Sequence, residues 1–120
     1  MKSMALLLAA GALALCGTGA FADTTWLPTI RWFNACGGNH FWERPNPVCR
    51  ARLHGAVEGL VAGIKFSHGK RWACIPDVVS PREELLVFRK YLDNHPEALC
   101  QNFGTVVAAA FAQSYPCPKG

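Results

Sequence analysis

A cysteine stands at each end of the stretch from Cys74 to Cys117, and what lies between reads as two helices. Cys74-Ile75-Pro76-Asp77-Val78-Val79 is a non-helical lead-in. Ser80-Pro81-Arg82-Glu83 then spells a helix start. A serine N-cap accepts a backbone N–H, proline is tolerated at the first helical position, and a glutamate three residues after the cap reaches back. Leu85, Phe88 and Leu92, with Val87 and Tyr91 beside them, keep helical spacing and give one apolar face. Asn94-His95-Pro96 ends it, because proline disfavours helical geometry in the residue before it. A second helix is expected through Val106, Val107, Ala110 and Phe111, stopped by Tyr115-Pro116-Cys117. If the two helices lie antiparallel, Cys74 and Cys117 fall at the same end. A disulfide there closes a long loop, worth roughly 4 kcal/mol in the chain-entropy model.

The start of the chain predicts export. Lys2 supplies a positive n-region, Met4 to Leu15 an apolar h-region, and Ala20-Phe21-Ala22 a small-x-small cleavage site before Asp23. The expected organisation is a cleaved secretion signal over residues 1–22 and one domain over 23–120. The apolar run is too short for a transmembrane anchor, and Leu15 stands before Cys16 where a lipoprotein signal wants a small residue. No other long apolar segment follows, so membrane insertion is not expected. Cleavage removes Cys16 and leaves five of the six cysteines. A domain of this size has a modest core, which suits reinforcement by disulfides in an oxidising compartment. The weak basic excess, +4 before the leader goes, does not single out nucleic acid as a partner.

Along the remaining chain, Pro28 to Ala35 reads as a short helix with Pro28 first and Gly37-Gly38 ending it. Gly37 to Asn46 reads as loop. Asn46-Pro47 opens a longer helix, in which Cys49, Leu53, Ala56, Val57, Leu60, Val61 and Ile64 form an amphipathic stripe. Beside it runs a row of small residues, Ala51, Gly55, Gly59 and Gly63. Glycine inside a helix costs about 1 kcal/mol against alanine. The row therefore predicts either a tight crossing with Gly104, Ala108 and Ala112 of the last helix or a dimer contact. Lys65 to Arg71 reads as a polar turn. The expected fold is all-α, a small disulfide-stapled bundle of about four helices.

Any one of the five remaining cysteines can be left out, and the other four pair in three ways. Helix order favours Cys36–Cys49 and Cys74–Cys117 and leaves Cys100 over, as a buried thiol or an intermolecular link. Cys49, in the first turn of a helix, could be a thiolate nucleophile with His40, His54, His68 or His95. As half of a disulfide it could attack nothing, and that reading carries more weight. Cys36 and His40 lack a second ligand pair for a metal. Five residues separate Gly63 from Gly69, and Arg71 stands where a phosphate loop needs Ser or Thr. Glu83 and Glu84 are explained by capping and the helix dipole. No catalytic constellation emerges, and neither enzyme activity nor a cofactor is expected. Trp32, Phe33, Phe41 and Trp42, interleaved with Arg31, Arg44 and Arg50, have the residue types of interface hot spots; completion of a small core is the plainer account. The basic turn of Lys65, His68, Lys70 and Arg71 is either a binding loop or a solvated one.

Cys74-Ile75-Pro76, Tyr91-Leu92, His95-Pro96-Glu97 and Tyr115-Pro116-Cys117 resemble the signature of the Rap/Tai family of secreted immunity proteins. Upstream, Cys49, Leu53, Gly55 and Glu58 resemble the family's Cys-x-x-aromatic-aliphatic-x-Gly-x-x-acidic run, from which Arg52 departs; Cys100 is a cysteine the pattern does not ask for. The resemblance implies a small helical protein that binds a secreted peptidoglycan amidase delivered by type VI secretion and blocks it in the periplasm. It also implies a homodimer with a protruding loop. Lys65, His68, Lys70 and Arg71, or Asn94, His95 and Glu97, are the candidates for partner binding. A small periplasmic chaperone or stress protein of helical, disulfide-bonded type is the alternative expectation.

Overall fold

The computed structural model describes residues 28–67, 69 and 71–119. The expected leader over 1–22, and the candidate residues His68 and Lys70, lie outside the described residues.

The described residues form five α-helices and one 3₁₀ segment: α1 Thr29–Ala35, α2 His40–Glu43, α3 Pro47–Phe66, α4 Pro81–Asn94, a 3₁₀ helix Pro96–Cys100, and α5 Phe103–Ser114. Among the described residues there is no strand, only an isolated bridge between Pro28 and Asn102. No helix among them is long and apolar enough to cross a membrane. Pro28 sits just ahead of α1 in extended geometry. Thr29 pins the helix start to Gln101, its N–H and its Oγ1 hydroxyl both donating to the Gln101 carbonyl at 2.8 and 2.9 Å. Gly37 and Gly38, at φ 100° and 57°, turn the chain out of α1 through conformations that other residues rarely adopt.

Side-chain caps set three of the helix starts. Asn46 accepts from the Val48 and Cys49 N–H groups at 2.9 and 3.4 Å, with Pro47 at the first position of α3. Ser80 accepts from the Glu83 N–H at 3.1 Å, ahead of Pro81. Asn102 accepts from the Gly104 N–H at 2.9 Å. That last cap separates α5 from the 3₁₀ helix, which Cys100 ends.

The core forms around Trp32. Its ring centroid is 5.2 Å from Phe41, 5.3 Å from Phe88 and 4.9 Å from Phe103, the first two edge-on. Leu53 and Val57 of α3, Leu92 of α4, and Val106, Val107, Ala110 and Phe111 of α5 complete it. Trp32 and Phe41 are therefore interior residues and cannot be interface anchors. Trp42 and Phe33 are partly buried against the same core, and the Arg89 guanidinium lies 5.9 Å from the centre of the Trp42 ring. Phe41 is carried inward by α2, a single turn in the stretch read from sequence as loop.

Two disulfides between described residues close the bundle. Cys36 joins Cys49 across a Cα separation of 6.0 Å, tying the end of α1 to the start of α3. Cys74 joins Cys117 across 4.9 Å and 43 residues of sequence. These are the two pairs that helix order favours. Cys100, expected to be left over, is disulfide-bonded too, and no described cysteine is free. With Cys49 oxidised, it cannot serve as a nucleophile.

The tight helix crossing is overturned. A Cβ added at Gly55, Gly59 or Gly63 would meet nothing within 4 Å, and Gly104 approaches only its own cap, Asn102. The row faces solvent because Leu53, Val57 and Ile64 occupy the other side of α3 and bury it.

Candidate functional site

The segment leaving α3 and leading into α4 projects large apolar side chains into solvent. Phe66 is 82% exposed, Val78 86% and Trp72 49%. Lys65 and Phe66 are the last residues of α3, so the polar turn expected from Lys65 begins two residues later. Its base is tied at several points. Lys65 Nζ lies 2.9 Å from the Asp77 carboxylate. The Cys74 N–H donates to the Tyr115 carbonyl at 2.8 Å, next to the disulfide with Cys117. Ala73 and Val79 are buried and seat the two ends of the segment on the bundle. The Lys65 hydrogen bond and charge, with a smaller contribution from Arg71, hold the Asp77 carboxyl below its usual range. Arg71 shares a small cleft with Ile64, Ala73, Ile75 and Asp77.

A groove of about 300 Å³ opens behind this segment, floored by Val57, Val61, Ala62 and Val79 and edged by Phe66 and Pro76. At one end stands a cluster that sequence reasoning did not single out. His54 Nδ1 lies 2.7 Å from Oε1 of Glu84, and its Nε2 lies 2.9 Å from Oε1 of Glu58. Glu84, assigned from sequence to helix capping, is 2% exposed. The signal was available: Glu84 stands four residues before Phe88 and eight before Leu92, on the buried row of α4. The Glu84 hydrogen bond and charge, followed by smaller contributions from Glu58, hold the His54 pKa above its ordinary 6.5.

The second candidate group lies elsewhere. His95 Nδ1 is 3.1 Å from Glu97 Oε1, and the His95 ring stacks on Tyr91 with centroids 4.4 Å apart. A hydrogen bond to its own backbone, then the one to His95, lower the Glu97 pKa. Asn94 lines a cleft with Lys90, Tyr91, Gln113 and Ser114. Lys65 and Arg71 thus line one set of grooves and Asn94 another; the two groups do not form one surface feature. Among the described residues no group of three His, Cys, Asp or Glu side chains could hold a metal ion.

Residues 29–117 match the model of the Rap1a immunity proteins. The chain belongs to that family. Rap1a membership makes it an immunity-type protein directed against a secreted effector, a class that is generally non-catalytic, and its disulfides fit an exported protein. Neither the curated proteins nor the solved structures yielded a match.

Proposed function

We propose that this Rap1a-family protein binds and blocks a peptidoglycan amidase effector of type VI secretion in the periplasm, using the segment between α3 and α4 as the inserted element. The observation that supports this reading is the pairing of exposed Phe66, Trp72 and Val78 with a base fixed by Lys65–Asp77 and Cys74–Cys117. Inhibition of this kind is binding alone. A segment already held in shape loses less freedom on docking, and more of its contact energy appears as affinity. Trp72 and Arg71 are the residue types that dominate such interfaces.

Affinity capture from periplasmic extract tests the partner class, and titration against the captured amidase tests the segment. Trp72→Ala combined with Arg71→Ala is expected to weaken binding at least about tenfold, on the scale of a single hot spot. Wild-type affinity in that variant would remove the segment from the interface and leave Asn94, His95 and Glu97 as the remaining candidates. The homodimer keeps the solvent-facing row of Gly55, Gly59 and Gly63 as its candidate face. Gly59→Leu should then sediment as a monomer, and an unchanged sedimentation coefficient removes that face.

A further inference from the structure

His54 touches a carboxylate with each ring nitrogen, at 2.7 Å to Glu84 and 2.9 Å to Glu58. A carboxylate only accepts, and a neutral imidazole has one N–H and one lone pair. Both contacts are hydrogen bonds only when both nitrogens carry protons, so the geometry is that of the imidazolium. On losing a proton, His54 must release one partner, and burial decides which. The Glu84 side chain is 3% exposed, and a buried carboxylate without a donor bears its full desolvation penalty. The Glu58 side chain is 70% exposed, and water replaces its lost donor.

We propose that His54 is a proton-operated clamp between α3 and the first turn of α4, which releases Glu58 into the mouth of the groove when it deprotonates. The groups facing it are few. Glu58 comes from its own helix and Glu84 from α4; Arg50 shares a shallow surface cleft with it, one turn earlier on α3. Lys65 and Asp77 stand farther along the groove and hold each other at 2.9 Å. Below the midpoint both carboxylates are bridged. Above it the groove mouth carries one more unit of negative charge. The folded-state pKa of His54 is raised, so its contribution to stability is complete below 6.5 and is lost as pH rises through the folded value. This clamp belongs to the α3–α4 seam and stands whether or not the neighbouring segment meets an amidase.

Imidazole resonances of the full chain, titrated by NMR, test it. His54→Gln assigns the resonance by its disappearance. The expected midpoint lies above 6.5 in the wild type, falls most in Glu84→Gln and falls less in Glu58→Gln. The melting temperature of wild type should exceed that of His54→Gln most in mild acid, with the gap narrowing as pH rises. A wild-type midpoint at or below 6.5, or a midpoint indifferent to Glu58→Gln, overturns the proposal. These two readings decide it even where Glu84→Gln does not fold.

Discussion

Around Trp32, rings from α1, α2, α4 and α5 press on one another and water is shut out. Among the described residues from 67 to 79 there is no helix, and Trp72 and Val78 stand in solvent. The first region is specified by packing, where each side chain depends on many neighbours at once. The second is specified by a few point ties, namely a disulfide, an ion pair and a backbone hydrogen bond. A packed region resists change at every position, whereas a tied one leaves the side chains between its ties open for recognition.

Paired tryptophan substitutions should break this comparison most sharply. Trp32→Ala is expected to lower the unfolding free energy by about 3–5 kcal/mol in urea titration, as for other buried aromatics. Trp72→Ala should stay within about 0.5 kcal/mol of wild type, as surface changes do; equal losses would mean that the segment belongs to the core. Replacing both Cys74 and Cys117 by serine should cost roughly 4 kcal/mol on the loop-entropy account and loosen the segment together with the bundle. The glycine row of α3 runs the other way. With open space at Gly59, Gly59→Ala should raise stability by about 1 kcal/mol through helix propensity, and a loss there would reveal a neighbour. The smallest effect belongs to the Lys65–Asp77 tie. Asp77 has a lowered pKa, so the tie is present above 3.8 and is lost as pH falls through the folded value. Protection of the Gly69 and Ala73 amides against exchange, relative to the intrinsic rate at each pH, should fall over that range, and Asp77→Asn should show the lower protection throughout.

The elements most legible in the sequence were those with strong local chemistry. Asn46-Pro47 and Ser80-Pro81 announce their helices through cap and proline together, and both caps hold. A helix as short as α2 has no room for a period, so Phe41 entered the core without a pattern to reveal it. The glycine row left its environment open because a helix has two glycine-compatible settings, close approach and an exposed face, and spacing does not separate them. Glu84 lay on a readable row, but a carboxylate in a first turn has a sufficient local explanation, and its partner His54 is thirty residues away. Whether the α3–α4 segment binds depends on a surface the chain does not contain, so residue types suggest it and spacing does not define it.

The contrast between Trp32 and Trp72 also equips the molecule with its own optical readout. At 2% exposure the Trp32 indole is out of reach of an aqueous quencher such as iodide, while Trp72 at 49% is open to collision. A ligand seated over the segment would shield Trp72 and leave Trp32 unchanged, so docking would lower the quenchable share of the emission from the chain's four tryptophans in unlabelled protein.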